Sequence, residues 1–177
     1  MSDNLLNIWR NTCRSHYFDE GLYKAIETGR VKSFCYLSSG QEVVAATIAE
    51  AVASLKPAVF AQHRGHAAYI SFGGNLEKLR DELLGLPSGC NGGRGGDPFI
   101  HDPEIKYFGH DSLVGTQVPI AVGYAYATRQ PVVCFCGDAT VEEDQFWPSV
   151  GFATTHALPV LFVVEDNNLS VITEVDK

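Results

Sequence analysis

No Cys-x-x-Cys pair occurs in this chain, and the five cysteines (Cys13, Cys35, Cys90, Cys134 and Cys136) are odd in number. A disulfide framework is therefore not expected, and Cys134 and Cys136 are expected as small core residues of a reducing compartment. Basic residues are few: 13 Lys and Arg stand against 21 Asp and Glu, a formal net charge of -8. That balance argues against nucleic acid or an anionic membrane as the main partner. No apolar run is longer than a strand, so no transmembrane helix is expected. The start of the chain has Asp3 and no long apolar stretch, so no secretory leader is expected. Internal repeats and low-complexity tracts are absent as well. What is present is an ordinary globular composition, 45% hydrophobic and 11% aromatic over 177 residues. These features predict one cytoplasmic domain, spanning residues 1–177, with a substantial core.

Two apolar runs organise that domain. Pro131–Cys136 and Pro159–Val164 are rich in β-branched and aromatic residues, carry no charge, and read as buried strands. The segment between them has room for a crossover helix, which makes a βαβ unit with parallel strands. Gly137-Asp138-Ala139 follows the first strand and Glu165-Asp166-Asn167-Asn168 the second. Open α/β sheets bind ligands outside the carboxyl ends of their strands. Asp138 and Asn167 are hard oxygen donors at two such ends, and hard donors suit Mg2+. Asp138 alone is equally well a turn former or helix cap.

The rest of the chain fits the same class, a doubly wound, mostly parallel α/β sheet. Residues 3–28 predict a long helix, with Leu5, Ile8, Trp9 and Cys13 at helical spacing and Gly29 as its stop. A second helix is expected from Ser39 to about Leu55, with Ser39 and Glu42 as a capping box and Val43, Ala46, Ala49 and Ala53 as a small packing face. Residues 57–62 predict a short strand, and Leu76–Leu84 a helix capped by Asn75. Residues 85–98 hold six glycines and two prolines and predict a structured loop. Gly115–Thr128 predicts a helix packing on the sheet through Ala121, Gly123, Ala125 and Ala127. In the crossover helix Pro148 is tolerable only in the first turn, so regular helix is expected from about Trp147.

Several motifs have two readings. Gly92-Gly93-Arg94-Gly95-Gly96 is not followed by Gly-Lys-Ser/Thr, so it is no Walker loop; it is a turn or a phosphate contact. His63 and His66 lack a further Cys/His cluster for zinc and read more readily as polar or hydrogen-bonded groups. Arg64 between them is well suited to hold phosphate by paired hydrogen bonds. Glu142, Glu143 and Asp144 read as favourable charge near a helix start, with Glu143 left open.

Gly137-Asp138-Ala139 followed by Asn167-Asn168, with Asn167 twenty-nine positions after Asp138, resembles the thiamine diphosphate fingerprint. More closely, the chain is similar to the alpha subunit of 2-oxo-acid dehydrogenase decarboxylase components, of the pyruvate and acetoin type. Gly40-Gln41-Glu42, His63-Arg64-Gly65-His66, Gly93-Arg94-Gly95-Gly96, Val114-Gly115-Thr116-Gln117-Val118-Pro119 and Leu158-Pro159 agree with that family in order and spacing. The resemblance implies the diphosphate-binding half of a thiamine-diphosphate-binding fold, with thiamine diphosphate and Mg2+ as cofactors. It implies Asp138 and Asn167 as side-chain metal ligands and Leu169 as a backbone carbonyl ligand. His63 and Arg64 would approach the diphosphate, and Gly137 and Ala139 would offer backbone N–H groups to it. Ser112 and Val114 would line the thiamine. His66 and His110 would be the polar, candidate catalytic groups near substrate.

The chain also departs from the family. Ala139 replaces the usual second Gly of the fingerprint, and Tyr36 stands at the family's His beside the cofactor. Phe99 lies close to where a loop His is usual, with His101 near. The family continues well beyond Lys177, with a loop carrying a catalytic His. No second domain with a thiazolium-activating Glu is visible. The implied partner is therefore a beta-type subunit that supplies the pyrimidine domain and catalytic Glu, in an α2β2 assembly. The implied activity is decarboxylation of a 2-oxo acid and passage of the acyl unit to an acceptor. A carboligase or simple 2-oxo-acid decarboxylase subunit, or a non-catalytic assembly subunit, are the alternatives.

Overall fold

The computed structural model describes residues 3–170 and 173–174. Lys177, where the sequence ends, lies outside the described residues. Six helices are described: α1 (Asp3–Glu27), α2 (Glu42–Val52), α3 (His66–Ser71), α4 (Leu76–Leu83), α5 (Gln117–Thr128) and α6 (Phe146–Thr155). Four strands, β1 (Ala58–Phe60), β2 (Tyr107–Phe108), β3 (Val132–Gly137) and β4 (Val160–Glu165), form one parallel sheet in the order β2-β1-β3-β4. A short antiparallel pair, β5 (Leu169–Ser170) and β6 (Thr173–Glu174), follows.

Alternation along the strands sends side chains to two cores. Val59, Val133, Phe135 and Val163 pack with Leu22 of α1, Ala45 of α2, Ala68 and Ile70 of α3 and Leu79 and Leu83 of α4. Ala58, Phe60, Val132, Cys134 and Cys136 pack with Val118, Ala121 and Ala125 of α5 and Phe146 of α6. Helices thus cover both faces of a parallel sheet, as the sequence predicts, and its central strands are apolar on both sides. The chain leaves β1 towards β2 through α3 and α4. It leaves β3 in the other direction, towards β4, through α6. The order therefore reverses between β1 and β3, and their carboxyl ends flank the crevice where such sheets bind ligands.

Asn75 caps α4 as expected, its side chain accepting from Glu77 N and Lys78 N. Pro148 is the third residue of α6, where its missing N–H costs nothing. Cys134 and Cys136 are fully buried thiols, and all five cysteines are free. Other expectations are corrected. The Ser39 capping box does not form: α2 starts at Glu42 after Gln41, and the Glu42 carboxylate accepts instead from Gly40 N (2.7 Å) and faces His16 Nδ1 (2.9 Å). Of the expected packing face, Ala46 and Ala49 are buried, together with Ala45, whereas Val43 and Ala53 are exposed. In α5, Ala121 and Ala125 face the sheet, whereas Gly123 and Ala127 face outward. The stripe at Leu5 and Trp9 lies exposed, and the buried residues of α1, Ser15, Asp19 and Leu22, run from its midpoint onward. The sequence reading also missed α3 and β2, both too short to show a period. No helix among the described residues is long and apolar enough to cross a membrane.

Candidate functional site

The register of β3 with β4 pairs Gly137 with Glu165, so the two polar turns leave the sheet side by side. Asp138 opens a 3-10 turn (Asp138–Glu142), and β5 packs against that turn, which brings the Leu169 segment back towards Asp138. Asp138 Oδ1 accepts from Ala139 N at 2.8 Å, whereas its Oδ2 is buried with no hydrogen-bond partner. A buried carboxylate oxygen without a donor is costly, and a cation would remove the cost. Asn167 folds into a local turn, its Oδ1 accepting from Leu169 N at 3.0 Å. Asn168 has φ 60°, a left-handed conformation that Asn tolerates better than most residues. Among the described residues no three His, Cys, Asp or Glu side chains gather as a metal site. An oxygen set of one carboxylate, one amide and backbone would be of the hard type that suits Mg2+.

A second group of site residues follows β1 and β2. Half-buried His63 lies edge-on to Tyr36, with ring centroids 4.5 Å apart, and 5.7 Å from His110. Burial first, then the neighbouring Arg64 and His110, lower the His63 pKa to about 4. Burial also lowers that of His110, whose Nδ1 accepts from Ser112 N at 3.0 Å. These imidazoles are therefore neutral near pH 7. Ser112 has φ 83°, and Val114, 43% exposed, gives its carbonyl to Gln145 Nε2 at 2.8 Å. Arg64 Nη1 reaches the Leu37 carbonyl at 3.4 Å.

Gln62 joins the two groups. Its side chain passes over the end of β3 and donates to Glu165 Oε2. A Cβ on Gly137 would stand 3.1 Å from Gln62 Oε1. Burial raises the Glu165 pKa, against the bond from Gln62 and the charge of Arg64. Sequence reading passed over this pair; a lone Glu closing an apolar strand was the available signal.

His66 sits apart from these groups. It is fully buried between Asp19 (Nδ1 to Oδ1, 2.7 Å) and Asp97, which faces its Nε2. Burial alone would lower its pKa, but the hydrogen bonds and charges of Asp19 and Asp97 raise it to about 9. The glycine loop is equally preoccupied. The Glu82 carboxylate, 1% exposed, accepts from the N–H groups of Asn91, Gly93, Gly95 and Gly96 at 2.7–3.3 Å. Gly93 has φ 71°, and a Cβ there would lie 2.5 Å from the Leu86 carbonyl, so only glycine fits. The loop is thus a structured one, as expected, and its amides already hold an anion from within the chain.

Comparison with known proteins gives the context of this arrangement. The family described as Dehydrogenase E1 component matches residues 15–177. The chain is similar to the pyruvate dehydrogenase E1 component subunit alpha-1, mitochondrial, of Arabidopsis thaliana, with 31% identity over 97% of this chain and 45% of that protein. The pyruvate dehydrogenase E1 component subunit alpha of Zymomonas mobilis shows 28% identity over 99% of this chain and 51% of that protein. That of Rickettsia typhi shows 31% identity over 90% and 50%. The chain spans about half the length of these curated relatives.

Proposed function

The chain belongs to the dehydrogenase E1 component family, and on that premise we propose that it carries the diphosphate- and metal-binding half of a thiamine-diphosphate-dependent 2-oxo-acid decarboxylase. The observation that carries this reading is the buried Asp138 Oδ2 without a partner, set at a sheet switch point beside the Asn167 turn. Asp138 and Asn167 hold Mg2+ with their side chains and Leu169 with its carbonyl. His63 and Arg64 face the diphosphate, and the Gly137 and Ala139 N–H groups lie close to it because neither residue has a bulky side chain. Ser112 and Val114 flank the thiamine. His110, neutral and buried, is a hydrogen-bonding group towards substrate. His66 lies too deep to touch substrate and acts from below.

When bound, thiamine diphosphate supplies the carbanion chemistry of decarboxylation, and the protein contributes binding and orientation. Arg64 would be the fixed cation towards the diphosphate, while His63 and His110, both with lowered pKa, would contribute hydrogen bonds rather than charge. The group that activates the thiazolium comes from a beta-type subunit with a pyrimidine domain, in an α2β2 assembly. The product acyl unit passes to an acceptor.

The test is calorimetric titration of the assembled protein with thiamine diphosphate in the presence of Mg2+. Asp138→Ala is expected to abolish Mg2+-dependent binding. Unchanged affinity in that variant would overturn the assignment.

A further inference from the structure

One segment lies directly over His63 and Arg64: Tyr36-Leu37-Ser38. It has no secondary structure of its own, yet both of its ends are tied to buried carboxylates. Tyr36 N donates to Asp97 Oδ2 at 2.7 Å. Ser38 N and Ser38 Oγ donate to Asp19 Oδ2 at 2.6 and 2.8 Å. The other oxygen of each carboxylate faces His66, Asp19 on Nδ1 and Asp97 on Nε2. The histidine, Asp19 and Asp97 are all at most 1% exposed. One imidazole, hydrogen-bonded to Asp19 at Nδ1 and ion-paired with Asp97 at Nε2, therefore bridges α1, the start of α3 and the end of the glycine loop, and the remaining carboxylate oxygens hold the 36–38 segment. The outer side of that segment meets the site, through the Tyr36 ring against His63 and the Leu37 carbonyl against Arg64.

We propose that Asp19, His66 and Asp97 form a clamp that positions Tyr36 over His63, making Asp97 and His66 positioning residues for the diphosphate-binding pair His63–Arg64. The inference rests on the proposed function for what His63 and Arg64 bind, but not for the clamp itself. The physical logic is that a loop without ladder hydrogen bonds keeps one conformation only if its amides have fixed partners. Charge-assisted bonds to a buried carboxylate are the strongest such partners available here. Bracing each carboxylate from behind with the same imidazole stops it rotating towards other donors. Tyr36 then packs against the His63 ring in a T-shaped contact, and that contact is part of the burial that keeps His63 neutral.

The experiment reads His63 in the purified chain by NMR titration of its imidazole. In the unaltered chain His63 stays unprotonated to about pH 5. Asp97→Ala and Asp97→Asn both remove the Asp97 charge, which by itself raises the His63 pKa, but only Asp97→Asn keeps an oxygen acceptor for Tyr36 N. Asp97→Ala is therefore expected to show a His63 midpoint at least about one pH unit above that of Asp97→Asn. Equal His63 midpoints in the two folded variants overturn the clamp. Should Asp97→Ala fail to fold, Tyr36→Ala leaves the three buried groups intact. Its His63 midpoint must rise, and an unmoved one overturns the proposal. In the assembled protein, Asp97→Ala is also expected to weaken thiamine diphosphate binding about tenfold. Absence of any thiamine diphosphate binding by the unaltered assembly would remove the proposed function while leaving the His63 result to decide the clamp.

Discussion

Gln62 at the end of β1 reaches Glu165 at the end of β4 by crossing over Gly137, the last residue of the strand between them. The first glycine of the Gly137-Asp138-Ala139 turn thereby has a packing role beside any role towards phosphate. Gly137→Val would push a branched side chain into the Gln62 amide and break the bridge. The expected cost is about 1–3 kcal/mol, from overpacking and the loss of a buried hydrogen bond. Urea unfolding of the variant checks it, and a midpoint equal to that of the unaltered chain would contradict the bridge.

Asp138 predicts opposite effects with and without metal. In metal-free buffer Asp138→Asn removes a buried charge whose Oδ2 has no donor, and is expected to stabilise the chain by about 1 kcal/mol. With Mg2+ and thiamine diphosphate added, the unaltered assembly should gain thermal stability and the variant should not. A variant that melts lower in metal-free buffer would contradict an unpartnered Oδ2.

His66 sets a pH dependence of stability. Its pKa is raised to about 9 in the folded chain, above the ordinary 6.5. Folding therefore gains from the protonated form: the contribution is complete below about pH 6.5 and is lost as pH rises through about 9. The loss is at most about 3 kcal/mol. Urea midpoints measured from pH 6 to 10 should fall across that window, and His66→Gln should flatten the profile. A profile that rises with pH in the unaltered chain would contradict the paired, charged imidazole.

Glu82 holds the glycine loop by charge. Glu82→Gln keeps the shape but turns an amide N–H towards backbone donors, at an expected cost of about 3 kcal/mol. Arg94 is exposed on that loop. Limited trypsin digestion should cut the variant at Arg94 much faster than the unaltered chain. Equal rates would mean that the loop is held by something else.

β3 was legible because Val132–Cys136 is an uninterrupted apolar run, and burial on both faces demands that. The equally apolar run Val160–Val164 was expected to be buried but forms the edge strand β4 among the described residues, with Leu161 and Val164 exposed. The α4 cap was legible for a local reason, since an Asn side chain meets the amides two and three residues on. What stayed hidden depended on long-range pairing. Asp19 and Asp97 are 78 positions apart and meet only because His66 lies between them. Nothing local marks Glu82 on its helix, and its four amide partners lie 9–14 residues away. The capping box at Ser39 failed for the same reason: Glu42 found His16 on another helix. Local rules place elements well, but cannot tell which carboxylate a distant donor will choose.

β4 has a strand neighbour on one side only among the described residues, and Leu161 and Val164 are each 42% exposed. A strand with an open row of amides and carbonyls and apolar side chains is a template for another strand. The handling of this chain follows from that edge. Left uncovered, it favours edge-to-edge association that grows with concentration, so dilute samples and light-scattering controls belong with every measurement above.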